Sequence, residues 1–476
     1  MKRVIAAAAA LIFCLSALCG CLEKPEGNHA ASSVTESATD HGTVPATETG
    51  KSGAEMSGTE TELRETEAET TGAETAPEET EAKTTADTEP PAVYDIENFD
   101  AELMEFIASK TDDSFMISPL SFKYALGMLL AGAGGESKTG LMTALGIKNL
   151  SEFEDLIKEF NRFAEGFEDS FARELEEYRE GVKKGWYGKD DPEPCRVLRV
   201  ADSVWKRNDI PEDFKEDYKM RLQMYGAEHR GFDLSSVIRD VNDWANEKTE
   251  GMIPRLLPDD YDVSDLAVIL MNALYFKNSW KDKFEKGAEN GGDFTTSDGK
   301  TVKKTFMSVS TGCRYYKDDK TELAAVKMNG NTEMVFVLGD LKNVADKIKK
   351  AENRDVTVKV PLFETETSLD KKELCDFLKS RGADEIFDER ADFSEMTDRD
   401  IYVSDIIQKT KIKLDQNGVE AAAVTVVFMP EKSAYEEPKT YIEFTADRAF
   451  SYYIITAPSD WTSSSGTVLF EGRLVK

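Results

Sequence analysis

Nucleophilic catalysis needs a base beside the nucleophile, and this 476-residue chain has three histidines that could serve, His29, His41 and His229. The first two fall in a low-complexity stretch, so any Ser–His or Cys–His pair would have to use His229. That residue sits in Gly226-Ala227-Glu228-His229-Arg230, and no G-x-S-x-G turn occurs in the chain to present a serine. It reads as an edge or surface histidine. Metal and phosphate chemistry fare no better, because H-E-x-x-H and P-loop patterns are both missing. Asp260-Tyr261-Asp262-Val263-Ser264-Asp265 has the look of a calcium loop. Yet Asp265 stands where the sixth-position glycine belongs and Met271 where the closing glutamate belongs, so it reads as an acidic turn. Carboxylates number 91, too many for any pair to mark a glycosidase. The sequence therefore points away from an enzyme and implies no metal and no cofactor.

The segment with mechanical rather than catalytic potential is Asp415-Gln416-Asn417-Gly418-Val419-Glu420-Ala421-Ala422-Ala423-Val424-Thr425. Small residues follow a glycine, and Val424 to Val427 favour β geometry. Met429 to Pro438 is rich in Glu and Pro and favours an exposed loop. A loop able to become a strand is a conformational switch.

The N-terminus sets the compartment. Met1-Lys2-Arg3 precedes an apolar run from Val4 to Leu18, too short for a comfortable membrane span and suited to a signal-peptide core. It ends in Leu18-Cys19-Gly20-Cys21, which resembles a bacterial lipobox with Cys21 as the lipidated residue. Residues 1–20 are thus expected to be a lipoprotein signal peptide. From there to residue 92, Thr, Glu and Ala dominate, with 17 acidic against 4 basic side chains over 22–92. Such a stretch buries too little apolar surface to offset its chain entropy, and its like charges extend it. Residues 21–92 are read as a disordered tether lifting a globular domain, 93–476, off the outer face of a bacterial membrane.

That domain keeps a net charge of −21, which argues against nucleic acid and heparin-like polyanions as partners. Lys183-Lys184, the notable basic pair of the charged region 152–191, reads as a solvated face. Cys195, Cys313 and Cys375 remain in the folded part, spaced for neither a zinc cluster nor a disulfide framework. At most one bridge could form, and buried thiols fit better.

Helical spacing of apolar residues runs over 96–110, 121–130 and 237–248. Strands are expected at 267–276, 333–338, 356–360, 411–414, 441–445, 451–456 and 467–470. Helices early and strands late suggest an α+β domain rather than a doubly wound sheet.

Five blocks in order resemble the serpin family over essentially all of 94–476. They are Phe115-Met116-Ile117-Ser118-Pro119-Leu120-Ser121-Phe122; Asn242 to Trp244 with Thr249-Glu250-Gly251-Met252-Ile253; and Asn272 to Lys277 with Trp280 and Phe284. The last two are Phe444 to Phe450 and Gly466 to Leu474. The chain departs from the family pattern at Ser114 (usually Asn), Gln408 (usually His), Ala449 (usually Pro) and Asn278 (usually Gly).

The resemblance implies the serpin fold: early helices packed on a large mixed central sheet, smaller sheets, and a reactive-centre loop at about 416–438. It implies a shutter between central strands made of Ser118, Ser121, Asn272 and Gln408, and a breach holding Trp280. Gln408 can still donate and accept, so the shutter would be rewired rather than lost. Gly418 matches the hinge glycine, with Val419, Glu420, Ala421, Ala422, Ala423 and Thr425 as the inserting hinge. Alternate residues would face inward, namely Val419, Ala421, Ala423, Thr425 and Val427, and none is charged. Family spacing places the scissile bond between Lys432 and Ser433, which implies a trypsin-like target; Phe428 or Met429 would redirect it to chymotrypsin- or elastase-like enzymes and Glu431 to Glu-specific ones, and papain-like proteases stay open. The implied protein is a monomeric suicide-substrate inhibitor whose partner is a protease. The alternative is a non-inhibitory binding protein on the same scaffold.

Overall fold

The computed structural model describes residues 98–187, 193–211, 213–264, 266–369, 371–403, 406–419, 440–457 and 466–476. Cys21, the tether, hinge residues Glu420 to Thr425 and the Lys432–Ser433 pair lie outside these residues.

In chain order the helices are α1 (Phe99–Ala108), α2 (Pro119–Gly132), α3 (Gly135–Leu145), α4 (Leu150–Lys183), α5 (Glu216–Met224), α6 (Val237–Lys248), α7 (Val344–Lys350) and α8 (Lys371–Ser380). The strands are β1 (Phe115–Ile117), β2 (Val197–Arg207), β3 (Glu228–Phe232), β4 (Val268–Ser279), β5 (Glu285–Lys286), β6 (Gly292–Thr295), β7 (Thr301–Lys304), β8 (Phe306–Lys317), β9 (Thr321–Met328), β10 (Thr332–Gly339), β11 (Glu352–Pro361), β12 (Phe363–Leu369), β13 (Gln408–Asp415), β14 (Gly418–Val419), β15 (Ile442–Thr445), β16 (Phe450–Thr456) and β17 (Val468–Leu474). Six strands make one sheet in the order β12-β13-β14-β4-β2-β3; nine make a second, and β6 pairs with β7. This is an α+β architecture with a large mixed sheet.

Alternation along the six-stranded sheet splits its side chains between two cores. Leu274 and Phe276 of β4 join the main core, which also holds α1, α2 and α3 residues. Met271 and Ala273 face the other way, against Val241, Trp244 and Ala245 of α6. Helix α2 is buried almost all round, which is why its sequence carries so many apolar residues. Ser118 caps its start, accepting from the Ser121 N–H, and Pro119 occupies the first turn where no N–H is needed.

Most elements run a few residues beyond the expected spans, because ladder pairing continues where side chains turn polar. Strand β11 reaches back to Glu352, opposite Tyr315 of β8, and β13 begins at Gln408, opposite Leu369. Helix α4 is the longest of the elements the sequence reading did not pick out, which include α3, α5, α7, α8 and strands β2, β8 and β9. Its apolar residues Phe153, Ile157, Phe160 and Phe167 keep helical spacing and are buried, but acidic side chains fill the gaps between them. Asn149 caps it, and the Glu152 carboxylate reaches back to the Lys148 N–H at 3.0 Å. Lys183 and Lys184 are exposed at its end and pair with Glu180, a solvated face as read.

Candidate functional site

The site is a seam in the six-stranded sheet. Strand β13 pairs along its length with β12, and β4 with β2. Between β13 and β4 the sheet is continued by β14, which runs antiparallel to both. Gly418 stands opposite Asp415 and Ser279, and Val419 opposite Leu414 and Asn278. Among the described residues no ladder joins β13 to β4 directly. Past β14 the seam continues as two small cavities. Leu274, Phe276, Ile412 and Val419 border one; Leu270, Asn272, Ser121 and Gln408 border the other.

Local chemistry makes the turn that feeds β14 into the seam. The Asp415 carboxylate accepts from the Asn417 N–H at 2.7 Å and the Gly418 N–H at 3.3 Å, which folds the chain back on itself. Gly418 has φ +151°, and a Cβ there would lie 2.1 Å from the Asn278 carbonyl oxygen. Only glycine lets the backbone slip between the strands. Val419 then drops into the main core, 3% exposed.

Trp280 holds this turn from β4's end. Its indole N–H donates to the Asp415 carbonyl at 2.9 Å, and its backbone N–H donates to the Asn417 carbonyl at 3.1 Å. The ring packs on Phe284 with centroids 4.7 Å apart. Asn278 is fully buried, and its side-chain amide donates to the Asn329 carbonyl at 2.7 Å and to Thr332 Oγ1 at 2.9 Å. Those bonds tie β4 to the turn before β10, a use for the residue that replaces the expected glycine.

The four shutter residues meet. Gln408 of β13 grips the backbone of Ser118 with both ends of its amide: Oε1 accepts from the Ser118 N–H at 3.0 Å, and Nε2 donates to the Ser118 carbonyl at 2.9 Å. Ser118 Oγ donates to the Leu469 carbonyl at 2.8 Å and accepts from the Ser121 N–H at 3.2 Å. Ser121 Oγ donates to Asn272 Oδ1 on β4. The α2 N-terminus thus bridges the two sides of the seam with a continuous polar chain. Thr410 adds a further tie from β13, donating to the Met116 carbonyl at 2.6 Å.

One member was missed from sequence. Asp202 of β2 stands opposite Asn272, whose amide donates to its carboxylate. Burial raises the Asp202 carboxyl to about 7, the Asn272 hydrogen bond pulling the other way. Tyr124 of α2 is pushed up by its own burial and then by the charge of Asp202. Asp202 is the one acid of β2, a strand that also carries Arg199, Ser203, Lys206 and Arg207, so its residue pattern carried no sign of burial. A second buried acid, Glu471 of β17, is raised well above its ordinary range by burial and by Asp100, with Lys123 opposing. Lys123 in turn pairs with Asp100 at 2.6 Å.

None of the remaining candidates borders the two cavities of the seam. His229 is exposed on β3, the sheet's edge strand. Cys313 and Cys375 are buried and Cys195 half-buried, with Cys313 pushed up to about 12 by burial. The acidic turn folds on itself, Asp262 accepting from the Ser264 N–H at 3.0 Å. Among the described residues no cluster of His, Cys, Asp and Glu could hold a metal ion.

A family model described as Serpin (serine protease inhibitor) matches residues 95–476. The leukocyte elastase inhibitor of Homo sapiens is 28% identical over 401 residues, spanning 76% of this chain and 92% of that protein. Serpin-ZXA of Oryza sativa subsp. japonica is 29% identical over 389 residues, spanning 75% and 89%. Among solved structures, the thermophilic serpin Tengpin in its native state superposes with a TM-score of 0.60 at 25% identity, covering 80% of this chain and 94% of that one. The chain belongs to the serpin family, and its architecture is the serpin fold.

Proposed function

We propose that this protein is a suicide-substrate inhibitor of extracellular serine proteases, trypsin-like by the lysine at its scissile bond. The observation that carries the reading is β14: Gly418 and Val419 are already seated between β13 and β4, at the mouth of a seam with an apolar lining. In the reaction, the protease serine Oγ attacks the Lys432 carbonyl. The Lys432–Ser433 peptide bond breaks, the Ser433 amine leaves with a proton, and an ester joins the enzyme to Lys432. Release of the loop's far end lets the chain after Val419 zip into the seam and carry the enzyme with it. Each added ladder bond contributes about 0.5–1.5 kcal/mol net, and loop insertion into a sheet is a known mode of strand addition in this family. The protein is consumed and does not turn over. Signal, lipid on Cys21 and acidic tether place it, on this reading, on the outer face of a bacterial membrane as a monomer.

Mixing the protein with trypsin, chymotrypsin, elastase and a papain-like enzyme, then running denaturing gels, tests the reading. A complex that survives denaturation, with a C-terminal fragment starting at Ser433, is expected with trypsin. Clean cleavage by every enzyme, with a melting temperature unchanged by the cut, would refute insertion and leave a binding protein on a serpin scaffold.

A further inference from the structure

The polar chain across the seam does not end at Asn272. It runs one residue further, to a carboxylate with little else to hold it. Asp202 is 4% exposed, and its side chain meets the Asn272 amide on β4. The titratable group facing it from α2 is Tyr124, whose hydroxyl donates to Asn161 of α4 at 3.1 Å. No cation pairs with Asp202 among the described residues. A buried acid in that position is expensive to ionise while the sheet is closed. It becomes cheap once water reaches it. The cavity bordered by Asn272, Ser121 and Gln408 lies at the seam itself, so parting β13 from β4 brings water to Asn272, the residue whose amide holds Asp202.

We infer that Asp202 is a proton-controlled positioning residue of the shutter: acting through Asn272 and Ser121, it holds the seam closed when protonated and promotes its opening when ionised. The inference rests on the insertion mechanism proposed above and adds a regulator to it. Opening lowers the energy of the carboxylate more than that of the neutral acid, so by linkage the opened sheet gains population as the proton leaves. Asn272 is the relay. It accepts from Ser121 with one end of its amide while donating to Asp202 with the other, so any loss of the Asp202 acceptor or any shift of β2 is felt at the α2 N-terminus. The seam of this serpin is then slow to open in mildly acidic surroundings and quick in alkaline ones, with the change centred near neutrality.

The test uses the full-length protein and a synthetic peptide of residues 419–430, whose uptake into the seam is followed by native gel and mass spectrometry between pH 6 and 8. An acid titrating near 7 goes from about one-tenth to nine-tenths ionised over this span, so the uptake rate should rise about tenfold. Asp202→Asn keeps the shape and removes the proton, and should give a slow, flat profile. His229→Gln should keep the wild-type profile, since that side chain is exposed on the edge strand β3. A flat wild-type profile, or an Asp202→Asn protein that still follows pH, would overturn the role of Asp202 while leaving insertion intact. A folded protein that takes up no peptide at any pH would overturn insertion itself and this inference with it. Should Asp202→Asn fail to fold, the same profile measured on Asp202→Ser, which also removes the titrating group but keeps a partner for the Asn272 amide, must lose its pH dependence.

Discussion

Replacing Gln408 by alanine isolates the strongest tie between β13 and α2. The amide makes two bonds to Ser118, and they are not equal in consequence. The Ser118 carbonyl keeps a second donor, the Phe122 N–H at 3.1 Å, so it stays satisfied. The Ser118 N–H has Gln408 Oε1 as its partner and is buried. Orphaning that donor costs about 1–3 kcal/mol, and the lost second bond about 0.5–1.5 kcal/mol more. The sum is about 1.5–4.5 kcal/mol. With an unfolding entropy of roughly 2.1 cal/mol/K per residue, over a domain of about 380 residues, this lowers the melting temperature by about 2–6 °C. Scanning calorimetry at fixed scan rate is the assay, since irreversible unfolding makes the midpoint rate-dependent. Gln408→Met separates hydrogen bonding from packing, because it refills the space without restoring the bonds. A drop under about 1 °C for alanine, or full recovery with methionine, would refute the claim that the amide grip holds the seam.

The other perturbations address the turn and a second buried acid. Gly418→Ala should push β14 out of the seam, because the new methyl has the Asn278 carbonyl in its place; losing the burial of Val419 costs about 1.5–3 kcal/mol. Hydrogen exchange at the Val419 amide should accelerate strongly, and unchanged protection would show that the backbone can accommodate a side chain there. Glu471 has a folded-state pKa above its unfolded one, so its contribution to stability is full at low pH and is lost as pH rises through the folded value. Urea midpoints measured from pH 5 to 9 should therefore show Glu471→Gln gaining on the wild type as pH increases, and parallel curves would contradict it.

What could be read from sequence was whatever residue type and spacing fix locally. Apolar spacing located α6 to the residue and found α2 two residues short at each end, missing the start that Ser118 caps and Pro119 opens. Helix α4 stayed hidden since its core-facing stripe is narrow and its flanks are crowded with carboxylates. The four residues expected to form the shutter were named through family resemblance; nothing in their spacing puts Gln408 within reach of Ser118, 290 positions away. Asp202 was invisible for a related reason. An acid in a strand looks like a solvent-facing residue until the fold sets α2 over it, and its partner Asn272 lies in a strand 70 residues on.

The two rungs of β14 also act as an address. Antiparallel pairing fixes every later partner once the first is chosen, because the chains advance one residue at a time in opposite directions. With Val419 opposite Leu414 and Asn278, a strand growing onward meets Ile412 and Phe276 at Ala421, and Thr410 and Leu274 at Ala423. The next inward residue is Thr425, and its appointed neighbours are Gln408 and Asn272. On the insertion proposed above, the register set by a single turn at the top of the sheet would deliver a hydroxyl to the two amides that close it. Alanines come first, where the seam is apolar, and the threonine comes where the seam is polar. One residue inserted or deleted between Val419 and Thr425 would break that match, and every inward side chain beyond it would turn to the other face.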